Sequence, residues 1–397
     1  MWILKDKRFI AGILALVISV GILALAVFCF DLNVLEHNPY DSYTRQALAW
    51  REGRLYLDND PAEIAYLELA IFEGKYYVSF PPVPSLVELV LTFFFGADTP
   101  NQLMLYIYTV ISCVSLTLLF AKKHSLHFSL CMGIMASVGT NLLGIVAFGG
   151  VWHEAQAMSF MLCSLAVLLI ECDRKVFNGL SLFCAALAVG CRPFTVLFIP
   201  FLLFRLYQKN TDKPIYKLIP YLIAPAIVAF LLMLYNYVRF NNPFEFGHNY
   251  LPEFLRAEEG QFSTKYLWDN LIQAIKLPFD FKPEFKLNIN KFTANIFYIF
   301  NPVIAVFLVK NVAKIIRERN LFDILWLMIF AMFVVFTCMH KTLGGCQFGA
   351  RYFIDVIPYL ALYLSYQKYK YENLYWHYAV FATELNFYGM YFVQKNF

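Results

Sequence analysis

The sequence predicts an all-α polytopic membrane protein, and three observations carry that class. Hydrophobic residues make up 60% of the 397-residue chain and charged residues only 15%, against roughly 25% charged in an ordinary soluble domain. The apolar residues gather in uncharged runs, and a run of about 20 is what a helix needs to cross a bilayer. Short connections rich in Lys and Arg alternate with two long acidic or neutral ones, the charge asymmetry of a membrane topology. Disordered, collagen-like and coiled-coil chains are excluded by the same composition. A formal net charge of +4 is small and dispersed, which argues against a nucleic-acid partner. Most of the nine Cys sit inside apolar runs without zinc-ligand or redox spacing, and they read as small buried hydrophobes.

Residues 1–9 carry Lys5, Lys7 and Arg8, and 10–30 is uncharged throughout. That run is too long for a signal-peptide core and no small-residue cleavage site follows it, so it is expected to stay as the first span. Further apolar segments fall at 83–95, 102–121, 128–148, 155–170, 179–190 with 194–206, 219–237, 294–309, 321–339, 353–366 and 376–393. They correspond to about 11–13 transmembrane helices. The stretch 179–206 is interrupted by Cys191-Arg192-Pro193, where two short helices are expected to meet at a polar point inside the membrane. Basic residues in short turns (Lys122/Lys123, Arg174/Lys175, Arg205–Lys217, Lys310–Arg319, Lys368/Lys370) put that face and the N-terminus in the cytoplasm. The long segments 31–80 and 238–293 then lie outside. The first holds nine acids against four bases, and the second is balanced. The expected location is the cell membrane, with membrane lipids around a multi-pass chain.

The outer segments carry the polar chemistry. Tyr40, Tyr43, Ala47 and Trp50 recur at helical spacing and Gly53 is a natural stop, so a short amphipathic interfacial helix is expected. Asp41 falls in its first turn, where a carboxylate suits the helix dipole. Arg45 lies one turn on, within ion-pair reach. On these residues alone Asp41 is a helix-end residue or a functional carboxylate. The run Asp58-Asn59-Asp60 before Pro61 can hold a divalent metal through oxygen ligands, or be a plain turn. Gly74-Lys75-Tyr76-Tyr77 marks a tight turn, and Phe80-Pro81-Pro82-Val83-Pro84 leads into the next span with prolines where a helix start tolerates them.

Gly149-Gly150-Val151-Trp152-His153-Glu154 falls between two spans on the outer side. A His-Glu pair at a membrane boundary is costly unless paired or used. His153 also reads as a packing histidine, whereas Glu154 runs straight into apolar sequence. Arg192 is isolated in apolar sequence and needs an anion, either a carboxylate partner or a ligand phosphate. The segment His340-Lys341-Thr342-Leu343-Gly344-Gly345-Cys346-Gln347-Phe348-Gly349-Ala350-Arg351-Tyr352 has three glycines flanked by Lys341 and Arg351. It suits phosphate binding, or a glycine-rich turn with snorkelling cations.

The order of these parts resembles integral-membrane glycosyltransferases of the GT-C fold, in the protein-mannosyltransferase-like and RgtA/B/C/D-like bacterial branches. The resemblance covers about 8–365. It rests on the first span, Asp41 before a YxxxA-like helix, Gly74-Lys75-Tyr76-Tyr77 with Pro81-Pro82, Glu154, Arg192-Pro193, RFNNPFEFG from Arg239, and GGCQFGARY from Gly344. It implies one GT-C-like membrane domain over 1–397. The implied activity is transfer of a sugar from a polyprenyl-phosphate carrier to a glycan, lipid or protein acceptor on the non-cytoplasmic face.

Carried over, Asp41 matches the first-loop catalytic aspartate and Glu154 the second acidic position. Arg192, Arg351, Lys341, His153, Tyr40 and Arg239 form the implied substrate-binding set. Many relatives carry Asp-Glu or Asp-x-Asp in the first loop, whereas Ser42 and Tyr43 follow Asp41 here. Dependence on Mg or Mn, and the choice between Asp41 and the Asp58/Asp60 run, therefore stay open.

That chemistry is coherent. A sugar hydroxyl is a weak nucleophile and gains from a carboxylate base, while the leaving lipid phosphate needs cations and no proton. Single displacement would invert the anomeric centre. The rival classes are a transporter or flippase of lipid-linked sugars, or a glycan ligase or polymerase. Transporters place polar sites near the midplane and usually show internal repeats; here polar residues gather in the outer segments. A cysteine introduced in 31–80 or 238–293 is expected to react with an impermeant thiol reagent applied to intact cells. Labelling only after lysis would reverse the orientation.

Overall fold

The computed structural model describes residues 6–58, 67–211, 214–276, 279–280, 286–287, 297–345 and 347–396. Helix α1, Lys7–Phe30, is capped by Asp6, whose carboxylate accepts from the Arg8 backbone N–H at 2.9 Å. Its small residues Ala11, Ala15, Ser19 and Ala26 are buried, while Val17, Leu25 and Phe28 are exposed. That is the pattern of a rim helix packing by small residues and facing lipid on its other side.

The first outer segment folds into helix α2, Ser42–Arg51, and a hairpin of β1, Leu69–Phe72, with β2, Lys75–Val78. The hairpin turns on Glu73 and Gly74, both at positive φ, as a two-residue turn of the primed type requires. Helix α3, Val83–Phe95, follows, with its prolines at the start.

The centre of the bundle is α4, Asn101–Ala121; α5, Leu126–Met135; α6, Leu142–Phe148; α7, Val151–Ile170; and α8, Lys175–Val189. Helix α7 packs on both α4 and α8, and α4 on α1 and α5. In α7, 83% of the apolar stretch is buried inside the protein. A 3-10 helix, Pro193–Phe198, leads into α9, Ile199–Gln208, and then α10, Ile223–Phe240. The second outer segment holds α11, Pro252–Leu255; α12, Leu267–Ile275; and a small β3–β4 pair at 279–280 and 286–287. Five α-helices complete the described chain: α13, Phe297–Phe300; α14, Pro302–Glu318; α15, Leu321–Cys338; α16, Ile357–Leu364; and α17, Tyr375–Asn396.

Among the described residues, five helices are long and apolar enough to cross a membrane: Lys7–Phe30, Asn101–Ala121, Val151–Ile170, Ile215–Phe240 and Leu321–Cys338. The sequence predicts more spans because apolar content does not register where a helix breaks. The expected segment 128–148 divides into α5 and α6 around Gly139, Thr140 and Asn141, and 179–206 divides at Arg192. Among the described residues, two antiparallel strand pairs and two isolated bridges are the extended pairings of an otherwise helical chain.

The basic turns meet at one end. Lys7 donates to the His124 carbonyl, His124 reaches the Ser365 carbonyl at 2.9 Å, and Tyr366 and Arg205 share Glu171. At about 1.5 Å per residue, α1 alone separates this end from the first loop by about 36 Å.

Gly133 lets α5 approach α4, since a Cβ there would lie 2.8 Å from the Thr117 Cα. Gly133→Ala is expected to cost about 1–3 kcal/mol and lower the melting temperature in detergent. Gly21→Ala in α1, where a Cβ meets nothing within 4 Å, should not. Equal melting of the two variants would refute the close crossing.

Candidate active site

A cavity of about 830 Å³ opens at the end of the bundle away from the basic turns. One wall comes from the first loop. Asn38 is its anchor: its backbone N–H donates to Asn101 Oδ1 at 2.9 Å, and its side chain donates to the Phe148 carbonyl at 2.9 Å. Tyr40 then crosses the Gly149-Gly150 turn, where the Val151 N–H donates to the Tyr40 carbonyl at 3.1 Å. Both glycines have positive φ, and a Cβ on Gly150 would lie 3.0 Å from the Tyr40 Cβ. The turn is glycine because loop and helix start touch there. The Tyr40 ring packs on Trp152 at 5.3 Å and faces the cavity.

The facing wall is cationic. Arg192 sits in the break after α8 with extended backbone, and its Nε and Nη2 reach Asp355 Oδ2 at 3.1 and 3.0 Å. Asp355 Oδ1 accepts from Gln156 of α7 at 2.9 Å, and Gln156 Oε1 accepts from Arg351 Nη1 at 3.1 Å. Arg351 Nε donates to the Gly344 carbonyl at 2.7 Å. Tyr352 lies between the two guanidiniums, 4.5 Å from Arg192 and 4.9 Å from Arg351. Arg351 is only 6% exposed, and no described carboxylate lies within ion-pair distance of it. Lys341, held by the Glu253 carbonyl at 3.4 Å and its carboxylate at 3.7 Å, adds a third cation to the lining.

Burial pushes the cavity histidines His248 and His340 down, to about 4 and about 3. The nearby arginines push the same way. Both rings are therefore neutral at pH 7, and the positive charge belongs to Arg and Lys.

The structure separates the expected site residues. Tyr40, His153, Arg192, Lys341 and Arg351 line the cavity. His153 donates from Nδ1 to the Gly149 carbonyl, 2.5 Å away. Asp41 lies behind Tyr40, with one oxygen on His37 Nε2 at 3.0 Å and the other on Arg45 Nε at 2.8 Å. Glu154, 2% exposed, turns toward the Glu88 carboxyl of α3, and each leaves an Oε1 atom buried without a partner.

Arg239 does not line the cavity. Its guanidinium donates to the Val78 carbonyl at 2.8 Å and to Asn236 Oδ1 at 3.1 Å, so the structure places it where it joins the hairpin to α10. Asp58 is exposed and paired with Arg54, and Asp60 lies outside the described residues. Among the described residues no group of three or more His, Cys, Asp or Glu is placed to hold a metal.

One lining residue escapes sequence reasoning. Glu68 precedes β1 and lines the cavity beside Trp152. Burial raises its carboxyl to about 7, against the pull of Trp152 and Arg351. Its φ of 49° is left-handed, which is strained for a Glu and typical of residues held for function.

No protein-family model matches the chain, and no curated protein matches it by sequence. Among solved structures, the oligosaccharyltransferase of Archaeoglobus fulgidus in its apo form superimposes with a TM-score of 0.52 at 13% identity. The match covers 99% of this chain and 56% of that one. The likeness is one of fold: a mostly helical membrane chain resembling the GT-C fold of an oligosaccharyltransferase. This chain spans a little over half the length of the protein it matches.

Glu68 is expected to titrate with a midpoint of about 7. The check is the emission of Trp152 followed from pH 5 to 9, as the difference between wild type and Trp152→Phe. A midpoint below about 5, the ordinary Glu range, would show that the carboxylate is solvated.

Proposed function

We propose that the chain is a membrane glycosyltransferase. It moves a sugar from a polyprenyl-phosphate carrier to a glycan, lipid or protein acceptor of the cell envelope, at the non-cytoplasmic face. Arg351 is the observation that carries this reading. It is a buried cation lining a cavity, whose side-chain hydrogen bonds among the described residues go to a carbonyl and an amide, in a GT-C-like fold. An uncompensated buried charge is costly, and a phosphate is the anion that the guanidinium fork suits.

The leaving phosphate is already ionised, so Arg351, Lys341 and the free edge of Arg192 stabilise the charge that develops on it. The cavity volume accommodates a sugar between this pole and the first-loop wall, while the lipid tail stays in the bilayer. A carboxylate on the first-loop side takes the acceptor's proton, and the displacement inverts the anomeric carbon. Both oxygens of Asp41 are engaged, so in this reading Asp41 fixes the first-loop helix behind Tyr40. Glu154 and Glu88 form the polar packing beneath the site.

The direct test is incubation of the purified protein with radiolabelled polyprenyl-phosphate sugars, scoring release of the lipid phosphate. Within it, Arg351→Lys keeps the charge and loses the fork. Polyprenyl-phosphate affinity is expected to fall about tenfold or more, with Arg192→Lys weaker because Asp355 already holds that side chain. Unchanged binding in both variants would place the phosphate elsewhere.

A further inference from the structure

The first-loop carboxylate that the reaction needs is not the one its motif indicates. We propose that Glu68 is the proton acceptor for the incoming hydroxyl, an assignment that rests on the glycosyltransferase reading above. The other carboxylates lining the cavity are engaged elsewhere. Glu245 accepts from the Gly247 N–H at 2.5 Å and from Asn249, and Glu253 sits beside Lys341. Glu68 has no described ion-pair partner, and Trp152 beside it favours its ionised form. Its carboxylate lone pairs are therefore available to a hydroxyl.

Its placement is built. Ser42 Oγ, at the start of α2, donates to the Leu67 carbonyl at 2.8 Å. The residue after Glu68 enters β1 in register with Val78, whose carbonyl Arg239 holds. Between those two fixings the chain takes the left-handed conformation at Glu68, a conformation that a non-glycine residue adopts at a cost. The side chain is thus aimed from the first-loop wall, with Arg351 within electrostatic reach of it. Glu68 comes from the first loop and Arg351 from the segment after α15, so base and phosphate pole reach one cavity from different parts of the chain.

In the step, the acceptor O–H proton passes to the Glu68 carboxylate as the oxygen's electron pair forms the new bond to the anomeric carbon. The bond from that carbon to the carrier oxygen breaks, and its electron pair leaves on the polyprenyl phosphate. A carboxyl that titrates near neutrality can accept that proton and return it to water between turnovers.

The experiment uses the full chain with polyprenyl-phosphate glucose, mannose and galactose as donors, and polyprenyl phosphate as the binding probe. Glu68→Gln is expected to lower turnover tenfold or more with probe affinity kept within twofold, Glu68→Asp to recover part of it, and Asp41→Asn to be milder than Glu68→Gln. Wild-type turnover should rise through about pH 7, because the base must be ionised. Trp152→Phe removes a neighbour that favours the ionised form, so its rise should move to higher pH; this reads the assignment even where Glu68→Gln does not fold. Loss of less than tenfold in Glu68→Gln, an unmoved pH limb in Trp152→Phe, or a dead Asp41→Asn beside an active Glu68→Gln overturns it while the transferase reading stands. A wild type that releases no lipid phosphate from any donor overturns that reading, and this assignment with it.

Discussion

Two arginines line the cavity and, among the described residues, only Arg192 has a carboxylate within ion-pair distance; this end of the molecule is arranged around that difference. Asp355 is 3% exposed and neutralises Arg192 directly. It reaches Arg351 only through the amide of Gln156. Burying a charge without an opposite charge costs several kcal/mol, so each group must be held by fixed dipoles. Gln156 can reach both partners because α7 is the central helix. Arg192 can turn inward because α8 stops short and Pro193 prevents its continuation. The Gly344 carbonyl is available because the backbone there has a φ of 113°. Remove the carboxylate and two guanidiniums face one another across Tyr352.

The opposite wall is held by neutral contacts. Asn38, Gln102 and the Gly149-Gly150 turn lock the first loop onto the start of α7. Helix α2 is docked by polar groups: Thr44 donates to Glu88 at 2.9 Å and Gln46 to Tyr235 at 2.9 Å. Its buried face is Ser, Thr and Gln as much as Tyr and Ala. The helix therefore belongs to the protein interior more than to the lipid interface. One wall thus carries fixed positive charge and the other a carboxylate and aromatic rings, and this polarity gives the cavity a direction.

Much of this was legible in the sequence where the signal is local. The break at Arg192, the stop at Gly53 and the Asp41–Arg45 pair each follow from spacing or backbone preference. Span number was not, since Ser, Thr, Asn and Gly inside an apolar run break helices without lowering its hydropathy much. Asp355 and Glu68 were missed for another reason. Glu68 sits in a run that reads as a plain strand approach, and its character comes from Trp152, distant in sequence. Arg239 looks like a binding cation in the RFNNPFEFG motif until its carbonyl partners are seen.

The stretch Ile215–Phe240 is the most lipid-exposed of the long helices, with only 11% of its apolar core buried. Its tilt is set by the few neighbours it packs on and by its anchored end. At that end Arg239 is bonded to the Val78 carbonyl and, at 3.5 Å, to the Phe246 carbonyl. One side chain thereby fixes the helix end, the hairpin and the second long segment to one another.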